Sequence, residues 1–328
     1  MNLFGSSFRI TLFGESHGKA IGVVIDGVRP GIALSESDFA CDILRRKAGK
    51  PGTTSRTEED EPEFLSGVHE GHTTGAPLAI IFKNKESRSA DYEALQGIPR
   101  PGHADYSASV KFDGFNDPRG GGHFSGRLTL PLVAAGVVAK KMCDGIGVKA
   151  ELIEVGGEKD SSLWDGLLEA AAREGDSLGG IVGCTVSNVP AGLGEPFFDS
   201  VESLISHAMF SIPGVRGVEF GDGFQAAGMK GSGHNDAFGR DADGKVIPLT
   251  NGAGGVNGGI TNGAPVSFRV AFKPTSSIPK VQRTLNMLTD QTVELSVRGR
   301  HDVCFALRTP VVVEAMSAIV LADLLARK

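Results

Sequence analysis

The 328-residue sequence predicts a mixed helix-and-strand protein, one body made of two similar halves, roughly 1–150 and 151–328. Three observations carry that expectation. Glycine-bounded, β-branched segments alternate with capped helical stretches. Two pairs of segments echo one another in the same order. I-G-V-V-I-D-G-V-R-P-G-I (21–32) resembles V-G-C-T-V-S-N-V-P-A-G-L (182–193), and T-T-G-A-P-L-A-I-I-F-K-N (73–84) resembles T-N-G-A-P-V-S-F-R-V-A-F-K-P (261–274). No flexible linker separates the halves, so independent domains are not expected, although the length alone would suit two of about 150 residues.

Each element has a local cause. Residues 20–28, A-I-G-V-V-I-D-G-V, predict a strand because they are β-branched and end at glycine. Ser35, three residues before Asp38, predicts a capping box. The helix behind it is expected to turn Phe39, Ile43 and Leu44 inward and to end near Gly49. Its last turn carries Arg45, Arg46 and Lys47, ordinary partners of a helix C-terminus. A second helix, from about Thr129 to Met142, has Ala134, Ala135, Gly136 and Ala139 for close packing. A third runs from about Ser162 to Arg173 and stops at Gly175, and a fourth runs from Ser200 to about Phe210. The last spans Pro310 to Ala326, with proline in its first turn and Ile319, Leu321, Leu324 and Leu325 for the core.

Composition narrows the function. No run approaches the roughly 18 apolar residues of a membrane span, and the N-terminal residues lack the pattern of a secretory signal, so a cytoplasmic protein is expected. Cys41, Cys143, Cys184 and Cys304 are far apart and form no C-x-x-C pair. That argues against a metal site and against disulfides, and predicts four buried small side chains. A net charge of −6 argues against nucleic acid as a partner. Yet the arginines are bunched: Arg45, Arg46 and Arg56; Arg119 and Arg127; Arg298, Arg300 and Arg308. Such clusters fit either a small, highly anionic ligand or solvated surface charge. Glycine makes up 46 residues, about 14% against a usual ~7%, which suits tight loops that approach a ligand closely.

Five segments hold the candidate chemistry. G-E-S-H-G (14–18) formally matches the G-x-S-x-G of a nucleophile elbow, which makes a phosphate-ester hydrolase using Ser16 and His17 one reading. An elbow, however, ends a buried strand and opens a helix, whereas this chain runs on into another strand. R-P-G-H-A-D-Y (100–106) puts Arg100 and His103 at a turn, where they could bind and protonate a phosphate. N-D-P-R-G-G-G-H-F-S-G-R-L-T (116–129) is a plausible anion cradle at a helix start. F-K-P-T-S-S-I (272–278) offers one lysine and three hydroxyls to a phosphate ester, and V-R-G-R-H-D-V-C (297–304) sets Asp302 beside arginine and histidine, as a base or as an ion-paired structural group.

Taken together and in this order, these segments resemble the chorismate synthase family. S-G-V-H-E-G-H-T-T-G-A-P (66–77), E-G-D-S-L-G-G (174–180), V-P-A-G-L-G-E-P (189–196) and G-V-E-F-G-D-G-F (217–224) extend the match over essentially the whole chain. The resemblance implies anti-1,4 elimination of phosphate from 5-enolpyruvylshikimate 3-phosphate to give chorismate, with reduced FMN required although there is no net redox change. It implies an α+β fold, antiparallel sheets forming a central sandwich with helices outside, in a homotetramer and a single catalytic unit. NADPH would enter only through flavin reduction, by an external reductant, since no spare nicotinamide domain is evident. A non-catalytic flavin-binding protein is the remaining alternative.

Site roles follow from the same resemblance, residue by residue. His17 matches the acid that protonates the departing phosphate, and His103 the histidine beside the flavin ring. Asp302 matches the carboxylate near flavin N5, while Ser16 and Ser125 match proton-relaying serines. Arg46, Arg56, Arg127 and Arg300 match anion-binding arginines of the substrate or NADP kind. Ser125, Gly214, Gly258, Lys273, Pro274, Thr275, Ser276, Ser277 and Arg300 fall in flavin-contacting segments. Two departures bear on them. R-R-K-A-G-K-P-G stands where R-R-R-P-G is usual, and H-F-S-G-R stands for R-S-S-A-R, so that His123 takes a position common for arginine.

Overall fold

The structure is a computed structural model that describes residues 2–49, 51–54, 59–84, 97–297, 299 and 301–327. Two antiparallel sheets dominate it. The first has the strand order Leu3–Phe4, Arg9–Gly14, Ala20–Asp26, Leu78–Lys83, Glu63–Ser66. The second has the order Val215–Phe220, Val266–Phe272, Gly180–Ser187, Gly147–Val155. Burial alternates residue by residue along Leu78–Phe82 and Val266–Phe272, so each sheet has one covered face.

What covers them is a pair of helices. The Thr129–Met142 helix buries 12 of its 14 residues, and the Pro310–Arg327 helix buries 14 of its 18. A helix without a polar stripe must be surrounded by protein. The first packs on the Ala20–Asp26 strand, the second on the Gly147–Val155 and Gly180–Ser187 strands, and the two helices pack on each other. The class is α+β with antiparallel sheets, as expected, but the layering is reversed: the long helices lie between the sheets, and the sheets are the outer layers. The shorter helices Ala40–Arg46 and Val201–Phe210 flank the helix pair.

The two echoes pair in one shared register. Ile25 faces Leu78 and Ile21 faces Phe82 in the first sheet, while Val186 faces Val266 and Val182 faces Val270 in the second. A threonine latch is repeated as well. Thr73 Oγ1 accepts from the Ile32 N–H at 3.0 Å and donates to the Arg29 carbonyl at 2.6 Å. Thr261 Oγ1 accepts from the Leu193 N–H at 2.9 Å and donates to the Pro190 carbonyl at 2.7 Å. Those residues are the equivalents under the echo. The short hairpins also correspond, Val68 facing Thr73 and Val256 facing Thr261.

Some local expectations need correction. The Ser35 N–H donates to Asp38 Oδ2 at 2.8 Å, as a capping box requires, but Leu44 is 70% exposed. Phe39, Ile43 and Arg46 share the inward face at helical spacing, so the third buried position is an arginine rather than a leucine. Cys143, Cys184 and Cys304 are buried, whereas Cys41 is exposed, on the other side of the helix from Phe39 and Ile43. Among the described residues no helix is long and apolar enough to cross a membrane.

The chain ends are tied together. Buried Asp323, on the last helix, accepts from the backbone N–H groups of Ser6, Ser7 and Phe8 at 2.9, 2.6 and 3.0 Å. Burial alone would raise the pKa of its carboxyl, but these donors and Arg327 hold it below the ordinary 3.8. A depressed acid contributes its stability fully above its unfolded pKa and loses it as the pH falls through the folded one. Acid titration of unfolding should therefore show a loss of stability below pH 3.8 that Asp323→Asn reduces, at the expense of lower stability at pH 7. A second expectation concerns Gly136, where a Cβ would lie 2.3 Å from Ala315 Cβ. Alanine normally gains about 1 kcal/mol over glycine within a helix. Here Gly136→Ala should instead destabilise by about 1–3 kcal/mol through overpacking, read from urea denaturation.

Candidate active site

Both buried helices start beside one cleft of ≈ 830 Å³. Residues from the two halves line it, including Ser125–Leu128 and Leu132 from the first half and Pro213–Arg216, Lys273–Ser277 and Arg308 from the second. Among the described residues its walls carry seven cationic side chains, Arg46, Lys47, Arg100, Arg127, Arg216, Lys273 and Arg308. Only two carboxylates, Asp60 and Asp302, accompany them. In a protein of net charge −6 that concentration makes the cleft a local well for anions. Burial and the nearby Arg216 charge already hold the Lys273 ammonium below its ordinary pKa.

Arg46 and Arg127 are buried at the cleft wall. Asp60 bridges them, Oδ1 to Arg127 Nη1 and Oδ2 to Arg46 Nη1 at 3.4 Å. Arg46 Nε donates to Thr129 Oγ1 at 2.9 Å, and Arg127 Nε donates to Asn84 Oδ1 at 3.2 Å. The Asn84 amide nitrogen in turn donates to the carbonyls of Glu15 and Gly18 at 3.1 and 2.9 Å. One asparagine thus couples a cleft-wall arginine to the turn that carries Ser16 and His17.

That turn closes the hairpin between Arg9–Gly14 and Ala20–Asp26 and lies against the glycine loop. The Ser16 N–H donates to the Gly122 carbonyl at 3.1 Å, and Ser16 Oγ donates to the Arg119 carbonyl at 3.2 Å. Gly120, Gly121 and Gly122 all have positive φ, 61°, 93° and 52°, a conformation that suits glycine. A Cβ on Gly120 would lie 2.4 Å from His17 Nε2, and one on Gly121 would lie 3.3 Å from His103 Nε2. The loop was read as an anion cradle; its glycines also leave the space that two imidazoles occupy. Nothing here has the strand–elbow–helix form of a hydrolase nucleophile, and the Ser16 hydroxyl is turned to a backbone carbonyl.

His103 stands at the cleft wall. Arg100 holds Asp105 with Nε and Nη2, both at 2.8 Å, and His103 Nδ1 lies 2.6 Å from Asp105 Oδ1. Burial opposes ionisation of Asp105, but the Arg100 and His103 hydrogen bonds outweigh it and keep its pKa far below the usual carboxylate range. Lys273 Nζ and Ser276 Oγ both donate to the Gly102 carbonyl, the latter at 2.8 Å, clasping the same loop from the far side. Asp302 accepts from Arg308 Nη2 at 2.8 Å and from the Thr54 N–H at 2.9 Å.

The cleft therefore gathers His103, Asp302, Ser125, His123, Arg46, Arg127, Gly214 and the Lys273–Ser277 segment. Ser16 and His17 sit one layer behind Gly120 and are buried. Gly258 is at the tip of the Val256–Thr261 hairpin and is not brought to the cleft. Arg56 and Arg300 lie outside the described residues. His123, also on the cleft wall, has its ring nitrogens at the Gly14 carbonyl, 2.7 Å, and at Asn2 Oδ1, 3.0 Å. Ser125 caps the following helical turn by accepting from the Arg127 N–H at 3.2 Å. Sequence reasoning missed Asp60, Asn84, Asp105 and Arg216. Only Asp105 carried a signal, a carboxylate two residues beyond the loop histidine.

Comparison with known proteins agrees with the geometry. The family model for chorismate synthase matches residues 8–326. A chorismate synthase of Chitinophaga pinensis is 60% identical over 324 residues, covering 98% of this chain and 96% of the relative. One from Pyrococcus abyssi is 46% identical over 343 residues, covering 97% and 96%. A solved structure described as a crystal structure of chorismate synthase superposes with a TM-score of 0.76 at 27% identity, covering 99% of this chain and 93% of that one.

The glycine loop yields a direct test. Gly120→Ala, with its φ of 61° and a Cβ 2.4 Å from His17 Nε2, should displace that ring. Displacements near 1 Å cost about a hundredfold in turnover. The check is a kcat comparison with Gly126→Ala, whose Cβ would meet only the Phe305 ring, at 3.2 Å.

Proposed function

The chain belongs to the chorismate synthase family of carbon–oxygen lyases in the shikimate pathway, and from that premise we propose that it forms chorismate by anti-1,4 elimination of phosphate from 5-enolpyruvylshikimate 3-phosphate, with reduced FMN bound. One observation carries this reading: a cation-rich cleft whose glycine loop presses on two histidines. A substrate with two carboxylates and a phosphate is what such walls attract, through guanidinium forks suited to those groups.

The residues present fit a flavin mononucleotide. The cleft volume of ≈ 830 Å³ lies high in the usual range of about 300–1,000 Å³ for small-molecule sites. Thr275 lines it with a buried Oγ1 that has no hydrogen-bond partner, an acceptor or donor left for a ligand. Lys273, Ser276 and Ser277 stand beside it and would hold the cofactor, with Gly214 allowing close approach. When bound, reduced FMN supplies electron density to a reaction with no net redox change.

The chain supplies the rest. Arg46 and Arg127, locked by Asp60, hold substrate anions. His17, held behind Gly120, donates a proton to the departing phosphate, with Ser16 at most a relay. His103 keeps a proton available beside the cofactor. Asp302, fixed by Arg308 and the Thr54 N–H, assists removal of the substrate proton. The two halves act as one catalytic body in a cytoplasmic homotetramer, with FMN reduced by an external partner and NADPH involved only there.

An anaerobic assay with and without dithionite-reduced FMN tests the reading. Chorismate absorbance and phosphate should appear together, and only with the reduced flavin. Phosphate release without flavin would instead establish a hydrolase, and FMN binding without product a non-catalytic flavoprotein. His17→Ala should lower kcat by about 10²–10⁴, the usual contribution of a general acid, while FMN affinity measured by fluorescence stays within a few-fold.

A further inference from the structure

A carboxylate that none of the foregoing roles uses is in direct contact with His103. Asp105 Oδ1 lies 2.6 Å from His103 Nδ1, inside normal hydrogen-bond distance. Arg100 Nη2 is also near that nitrogen, at 3.1 Å, so two assignments of the ring compete. In one, Nδ1 accepts from the arginine; in the other, Nδ1 carries the proton and donates to the aspartate. Chemistry decides between them. Asp105 takes three N–H donors from Arg100, the backbone at 3.0 Å and the guanidinium Nε and Nη2 at 2.8 Å each, so it is ionised and has no proton to give. A bare Nδ1 lone pair at 2.6 Å from an ionised oxygen would be repelled. The proton therefore belongs on Nδ1.

The other ring nitrogen then has a defined place and task. His103 Nε2 faces Gly121, whose missing side chain leaves it room, on the wall of the cleft. We propose that Asp105 is the positioning residue for His103: it fixes the Nδ1–H tautomer, aims Nε2 at the cleft, and stabilises the imidazolium formed when Nε2 takes a proton. Arg100 sets the strength of that support. By engaging both oxygens of Asp105 it tempers the carboxylate, so His103 can lose its proton as well as gain it. The remaining charged or titratable groups that face this ring from packed elements are Lys273, hydrogen-bonded to the Gly102 carbonyl, and His17 on the neighbouring glycine of the loop. Lys273 opposes a charged imidazole, which makes the Asp105 contact the one that favours it.

The inference rests on the flavin-dependent reading above, and its test is separable from that reading. Selective ¹⁵N-histidine NMR of the ligand-free protein should show His103 protonated at Nδ1, and Asp105→Asn should move the proton to Nε2 or leave a tautomer mixture. Finding Nε2–H in the unmodified protein would overturn the proposal whether or not the enzyme forms chorismate. In turnover, Asp105→Asn should lower kcat by about 10²-fold with KM for substrate changed less than threefold. It should also alter the kcat–pH profile, because the charge in contact with His103 is removed. A merely structural role would leave the pH profile in place. The same substitution made on a His103→Ala background should then cost almost nothing, since residues acting as a unit are non-additive. A full additional hundredfold loss there would refute a role through His103.

Discussion

Everything in this molecule hangs on two helices that are buried along most of their length. Thr129–Met142 and Pro310–Arg327 are buried around their circumference and meet where Gly136 admits Ala315. Each supports one sheet, so the distance between the sheets is set by this contact. Apolar burial of that extent is the largest favourable contribution to folding. It is also directional in effect, because both helices begin at the cleft. Their N-termini carry partial positive charge and reinforce a lining already rich in guanidinium and ammonium groups.

The echo between the segments shows where the two halves are alike and where they are not. The strand pairs and the threonine latches are superimposable in their hydrogen bonding, because each solves the same problem of returning the chain from one strand to its neighbour. The cleft residues do not follow the echo. Ser16, His17, His103 and the glycine loop belong to the first half, whereas Lys273–Ser277 and Asp302 belong to the second. The cleft is thus a joint product, and neither half alone holds both the histidines with their glycine loop and the hydroxyl-rich segment.

Much of this was legible in the sequence, for identifiable reasons. Helix ends were marked by Ser200, Gly175 and Pro310, whose effects are local. The layer order was not, since apolar helices read alike whether they cover a sheet or separate two. Leu44 and Arg46 show the same limit at single-residue scale. A periodicity count favours the leucine, yet the arginine takes the inward place because Asp60, Thr129 and the Gly126 carbonyl satisfy it there. Asp60 itself stands in the acidic run E-E-D-E (58–61), with nothing local to single it out. Its bond to Arg127 joins residues 67 apart. Asp105, by contrast, was visible beside its histidine, and only its meaning required coordinates.

The clasp made by Asp323 has a consequence for how the protein comes into being. Three backbone donors near residue 7 wait for a carboxylate more than 300 positions later in the chain. Contacts of such separation slow folding, because the loop must close before they contribute. During synthesis the first half emerges with its edge strand and the adjoining Arg9–Gly14 strand unsecured, and with the apolar face of its buried helix lacking its partner. Domains commonly fold as they leave the ribosome; this one cannot finish until its last turn is released. A stalled or truncated chain would expose the central helix and an open sheet edge together, the combination that recruits chaperones and promotes aggregation.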